Sequence, residues 1–219
     1  MLIKSFPAGP WATNCYLVAN ETNSECVIID PGFESLPDIE SICTQFNLHP
    51  VATLLTHGHM DHVWSVIPLC NNHQISAYIH GLDEWMLSTP EKAYSKSSWQ
   101  ELIKLNAGVP EFLPKDLNLL KNKMKLDLAG LEITCQHTPG HTEGSTVFTS
   151  QNNLFSGDVL FNRGIGRTDL PGGNPKAMLE SLKNVILKFP DEMSVFPGHG
   201  PSTTIGDERF KNPYLQDLT

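Results

Sequence analysis

The stretch Thr56-His57-Gly58-His59-Met60-Asp61-His62 puts four imidazole or carboxylate groups into six positions, directly after the apolar run Val51 to Leu55. Such groups are the donors that borderline cations such as zinc accept, at roughly 2.0 to 2.2 Å, so donors to one cation must converge closely. A strand running into a bend achieves that convergence. His57 and His59 stand two apart, an interval that projects both to one side of an extended segment, and Gly58 lets the backbone come close. Those two can share a cation. Asp61 and His62 fall where a helix would begin, with Val63, Val66, Ile67 and Cys70 following at helical spacing, so they aim elsewhere and suit a second cation nearby. Helix capping accounts for Asp61 and leaves the three histidines unexplained.

Further along, Thr138-Pro139-Gly140-His141-Thr142 follows the apolar Leu131 to Cys135. Ser156-Gly157-Asp158 follows Leu154-Phe155, and Phe196-Pro197-Gly198-His199-Gly200 follows Met193 to Val195. Each places one donor at the end of an expected strand. Alone, each reads as a turn; beside the first cluster they support one another.

Together with Asn14-Cys15-Tyr16-Leu17, Val27-Ile28-Ile29-Asp30-Pro31-Gly32, Gly157-Asp158-Val159-Leu160-Phe161 and Gly166-Arg167, these motifs resemble the metallo-beta-lactamase superfamily along nearly the whole chain. Within it the resemblance is to the glyoxalase II-like, hydroxyacylglutathione hydrolase-like branch. It implies an α/β fold, a four-layer αβ/βα sandwich with the metal site at one edge of its two sheets, formed as a single domain over residues 1–219. It also implies that His57, His59 and His141 hold one divalent cation, that Asp61, His62 and His199 hold a second, and that Asp158 bridges them. A bridging carboxylate fits, because two cations about 3.5 to 4 Å apart need an anion between them. Zinc is the expected metal, with iron and manganese also accepted by these donors.

The activity implied is hydrolysis of a thioester, such as the 2-hydroxyacyl thioester S-lactoylglutathione, by a metal-bridging hydroxide, with Asp61 positioning the water or taking a proton. Full-length glyoxalase II carries a C-terminal helical extension whose basic residues hold the glutathione carboxylates, whereas this chain stops about 20 residues after His199. The resemblance is therefore to a short form, and the carrier is glutathione or another low-molecular-weight thiol. The alternative is an iron-dependent persulfide dioxygenase using His57, His141 and Asp158. A beta-lactamase, a phosphodiesterase and a non-catalytic metal-binding module rank below it, since seven donors exceed the four that a structural zinc needs.

Composition narrows the field. With 219 residues, 40% of them hydrophobic, the chain can bury a sizeable core as one domain. Its net charge of -9, with 15 Lys and Arg scattered along the chain, argues against a nucleic-acid partner, and the resemblance implies a small-molecule thioester as substrate. No apolar run approaches the roughly 20 residues that span a bilayer, and no leader-like segment opens the chain. Five cysteines at 15, 26, 43, 70 and 135 form no close pair and lie mostly in apolar stretches, which points to a reducing cytoplasm.

Periodicity predicts strands near 15–19, 26–30, 51–56, 76–80, 131–136, 145–149, 153–156 and 193–196. It predicts helices over 35–46 and 175–189, and a helix after Asp61 that Pro68 should shorten or kink. Residues 81–125 carry no clear donor and read as helix packing, with a substrate wall or a partner surface as the other reading. Gly164-Ile165-Gly166-Arg167 lacks the third glycine of a dinucleotide fingerprint and reads as a turn beside the metal edge, where Arg167 is a candidate contact for an anionic substrate group. Asp30, ending its strand before Pro31-Gly32, reads as a turn residue, while the resemblance implies a carboxylate beneath the donor loops that orients a histidine.

Overall fold

Strands that carry apolar side chains on both faces need cover on both sides, and the chain supplies it with helices outside and a second sheet inside. The computed structural model describes residues 1–105 and 111–218. The first sheet sets each strand beside the next: β1 (Leu2–Ala8), β2 (Thr13–Ala19), β3 (Glu25–Ile29), β4 (His49–Leu54), β5 (Ser76–His80) and β6 (Leu117–Leu120). Its first three strands are antiparallel, and β3 to β6 are parallel. Parallel neighbours need crossovers. These contain α1 (Leu36–Phe46), then α2 (Met60–Val63) with α3 (Val66–His73), then α4 (Glu84–Ser88) with α5 (Lys96–Leu105).

The second sheet comprises β7 (Lys125–Leu128), β8 (Leu131–His137), β9 (Thr146–Ser150), β10 (Asn153–Gly157), β11 (Ser194–Pro197) and β12 (Thr203–Thr204), again in sequence order. It is antiparallel except where α6 (Pro175–Asn184) lets β11 run parallel to β10, and α7 (Ile205–Lys211) follows β12.

Alternation along the strands sorts the layers. Cys15, Leu17, Ala19, Cys26 and Ile28 face the helices of the first half, while Tyr16, Val18, Val27 and Ile29 meet Phe148 and Phe155 between the sheets. On the far side of the second sheet, Val147, Leu154 and Val195 pack with Met178 and Leu182 of α6 and Ile205 of α7. The result is the expected αβ/βα sandwich.

Two local expectations need correction, and a third is met. The helix placed at 175–189 ends at Asn184 and tightens into a 3-10 turn, Ile186–Lys188, because Phe189 precedes Pro190 and must be extended. The helix after Asp61 is short, as expected from Pro68: it breaks at Trp64 and Ser65, because Pro68 has no N–H for the Trp64 carbonyl and its ring would crowd it, and α3 restarts with Pro68 in its first turn. Within residues 81–125, read as helix packing, α4 and α5 are followed by β6 and by the first residue of β7. Among the described residues no helix is long and apolar enough to cross a membrane, and all five cysteines are buried free thiols.

Candidate metal centre

The fold delivers the donor-bearing loops to one edge. His57, His59, Asp61 and His62 leave the end of β4, His141 comes from the loop after β8, Asp158 follows β10 and His199 follows β11. His59 is the extended residue that precedes α2, so His57 and His59 lie on the loop while Asp61 and His62 lie on the helix. Donor atoms of His57, His59 and His141 fall within 4.8 Å of one another, as do those of Asp61, His62 and His199, and those of His57, His62 and Asp158. All seven side chains expected to hold metal are thus brought together.

Their orientation is set from behind. His62 Nδ1 donates to Asp30 Oδ2 at 2.9 Å, His141 Nδ1 to the Arg167 carbonyl at 2.7 Å, and His199 Nδ1 to the Trp11 carbonyl at 3.1 Å. In each ring this leaves Nε2 facing the cluster. His59 is turned the other way, with its Nδ1 2.8 Å from His141 Nε2. The Asp158 carboxylate faces both halves: Oδ1 lies 3.4 Å from His62 Nε2, and Oδ2 lies 3.6 Å from both His141 Nε2 and His199 Nε2.

Cation binding was tested against the polar atoms left over. Buried polar atoms are nearly always partnered, yet His57 Nε2, His62 Nε2 and Asp158 Oδ1 are buried without a hydrogen bond. A nitrogen and oxygen set of this kind fits divalent cations. Charge agrees. Burial, reinforced by His62 and His141, holds His57 well below its usual 6.5, and burial with His141 brings His59 down to about 3, so both are in the neutral form that binds metal. Burial would also lower His62, but Asp61, Asp158 and Asp30 overcome it and push the ring well above 6.5. Burial opposes ionisation of Asp61 and Asp158, and the surrounding histidines, His62 foremost, hold both below the usual carboxylate range.

Two supports escaped the sequence reading. Thr13, fully buried at the start of β2, donates through Oγ1 to Asp61 Oδ2 at 2.9 Å. Asn14 Nδ2 donates to the carbonyls of Pro197 and Gly200, and Tyr16 donates to Pro197, so β2 clamps the loop that carries His199. Asp30, directly after β3, meets His62 from behind. Its backbone is left-handed, with φ 52°, and its carboxylate holds His62.

A cavity of about 330 Å³ opens beside Asp61, walled by Trp11, Met60, Tyr94, Ser98, Glu101, Leu102, Arg167 and Leu170. Residues of 81–125 therefore do line the cleft, while Tyr94, Trp99 and Leu102 also pack on the helix-side core. Arg167 is at the cleft, but its guanidinium is engaged by Asp169 through two contacts of 2.7 Å. A larger hollow of about 570 Å³ along Leu82, His137, Glu143 and Gly173 contains none of the seven donors, whereas the smaller one is lined by Asp61.

The family model described as the metallo-beta-lactamase superfamily matches residues 8–199, a span that includes every residue of the cluster. The chain belongs to the metallo-beta-lactamase superfamily. Its similarity to curated proteins runs end to end: 41% identity over 227 residues, covering all of both chains, to an uncharacterized protein of Mycobacterium tuberculosis. It is 33% identical to the hydroxyacylglutathione hydrolase GloC of Haemophilus influenzae, over 98% of each. Among solved metallo-beta-lactamase folds, the BLEG-1 B3 metallo-beta-lactamase superposes with a TM-score of 0.84 at 35% identity, covering 98% of this chain and 99% of that one. TTHA1623, solved in a di-iron-bound form, gives 0.79 at 36% identity, covering 98% and 100%.

Proposed function

We propose that this metallo-hydrolase cleaves a thioester, with a 2-hydroxyacyl thioester such as S-lactoylglutathione as the leading candidate. The observation that carries the reading is the seven-residue donor set with its orphaned nitrogens and oxygen, opening on a narrow cleft. His57, His59 and His141 would hold one cation, Asp61, His62 and His199 the other, and Asp158 both. Zinc and iron each fit the donors; the di-iron form of TTHA1623 gives iron added weight. Cations held there supply a water ionised near pH 7 and a Lewis acid for the substrate carbonyl.

The chain's own groups do the rest. Asp61 lines the cleft with its Oδ2 fixed by Thr13, placed to orient the attacking water and accept its proton. Trp11, Met60, Tyr94 and Leu170 offer apolar walls for the acyl and thiol stems. Burial raises the Tyr94 phenol above its usual 10, which keeps it protonated and a poor acid. A thiol has a pKa near 8.5 and leaves as the thiolate without a proton donor, which suits this cleft better than an alkoxide or an amine would. The hydrolase name carried by GloC supports the same choice.

The test is a panel run on protein of measured metal content. S-lactoylglutathione, an uncharged thioester, nitrocefin, and glutathione persulfide in an oxygen electrode make up the panel. Release of free thiol from a thioester is the expected result. Metal-loaded enzyme that leaves every thioester intact would end the proposal. Nitrocefin turnover would favour lactam hydrolysis, the second reading supported by the likeness to BLEG-1, and oxygen uptake would favour the dioxygenase.

A further inference from the structure

Asp83 immediately precedes α4, the position where an aspartate ordinarily accepts hydrogen bonds from its own helix. It makes none of them. Both carboxylate oxygens are instead given to two loops far away in sequence. Oδ2 accepts from the Thr142 hydroxyl at 2.6 Å and from the Gly58 N–H at 3.3 Å, and Oδ1 accepts from the Gly144 N–H at 2.7 Å. Gly58 lies between His57 and His59, and Thr142 follows His141. The residue is fully buried and no cation pairs with it among the described residues. A buried carboxylate without a counter-charge is costly unless its hydrogen bonds repay it. Here all three join the two loops that carry His57, His59 and His141.

The shape of the junction agrees. A Cβ on Gly58 would fall 2.5 Å from Met86 Cβ, and one on Gly144 would fall 2.6 Å from Asp83 Cγ. Both loops are therefore notched by a glycine where the start of α4 enters. None of these bonds reaches Asp61, His62 or His199.

We propose that Asp83 is a positioning residue for one half of the centre: it fixes the distance between the His57-Gly58-His59 loop and the His141-Thr142 loop, and so sets affinity for the cation those three histidines would hold. The inference rests on the ligand assignment made above. Its signature is asymmetry, since loss of Asp83 should weaken one cation site and spare the other, whereas a general loss of stability would treat both alike.

Chelator-stripped protein titrated with Co²⁺, followed by visible absorption and by competition with a chromophoric chelator, reads each equivalent separately. Wild type should take two. Asp83→Asn should lower the affinity of one equivalent by about 10- to 100-fold, the range for lost support behind a ligand. The other should change less than about threefold, and the pattern should match that of His141→Ala and differ from that of His199→Ala. Thr142→Val, which removes one of the three bonds to Asp83 along with a contact to the Ser145 hydroxyl and keeps the carboxylate, should weaken the same equivalent less and serves if Asp83→Asn does not fold. Phe148→Ala, a cavity between the sheets, should not reproduce the asymmetry. Two unchanged equivalents in both Asp83→Asn and Thr142→Val, or two weakened equally, would overturn the role given to Asp83 and leave the ligand assignment standing. Wild type that takes up no Co²⁺ would remove the assignment, and this inference with it.

Discussion

Asp30 Oδ2 accepts a hydrogen bond from His62 Nδ1 at 2.9 Å. The same oxygen accepts from Thr56 Oγ1 at 2.7 Å, and that hydroxyl, 3.1 Å from His57 Nδ1, is placed to accept from the ring. One carboxylate thereby fixes a histidine in each half of the centre, directly in one case and through a threonine in the other. Asp30→Asn is the informative change, because asparagine tolerates the left-handed backbone at this position and the loss falls on the hydrogen bonds. Metal affinity should drop about 10- to 100-fold for both equivalents. Chelator competition measures it, and an unchanged affinity would refute the role given to Asp30.

Gly198→Ala should empty the centre without unfolding the sandwich. A Cβ there would lie 2.2 Å from Asp158 Oδ1 and 2.8 Å from His62 Cε1, so the bridging carboxylate and one imidazole would have to move. Elemental analysis should find less than one equivalent of metal in a protein whose circular dichroism matches wild type. Full occupancy would show that the loop can yield.

Acid should weaken the fold through His80. Its ring stacks on His137 with centroids 4.1 Å apart, and burial together with that neighbour lowers it to about 4. The folded pKa lies below the unfolded value near 6.5, so the unfolded chain binds the proton first. The contribution is complete above pH 6.5 and is lost as pH falls from 6.5 toward 4. Partial exposure keeps the effect to a fraction of a kcal/mol. His80→Gln should lose less stability than wild type between pH 7 and pH 4.5 in urea melts; equal losses would contradict the assignment.

Charge at the cleft mouth should discriminate among thiol carriers. Glu101 lines the cavity, and the guanidinium of Arg167 is already matched by Asp169. Glu101→Gln should lower KM for S-lactoylglutathione by a few-fold, as expected for removal of an exposed like charge, with kcat unchanged and KM for an uncharged thioester unmoved. Equal shifts for both substrates would mean that Glu101 acts through the shape of the cleft.

The donors were legible because metal chemistry restricts residue type and spacing together: His57, His59, Asp61 and His62 announce themselves, and the single donors at 141, 158 and 199 each close an apolar strand. The interior strands β2, β3, β4 and β10 were legible for a related reason, since burial on both faces demands unbroken apolar runs. What supports the donors was not. Thr13 and Asp83 are ordinary polar residues whose partners lie 48 and 59 positions away at Asp61 and Thr142, and no local pattern encodes such a pairing. The edge strands β1 and β7 were hidden because exposed residues such as Ser5, Lys125 and Asp127 interrupt their apolar pattern.

The seven side chains enter the chain between His57 and His199, and they come from loops of both sheets. Neither half of the sandwich owns a complete coordination set, so a polypeptide with its two sheets misdocked would have only fragments to offer a cation. Uptake of metal then acts as an assay of maturation, registering that the last β-strands have settled against the first.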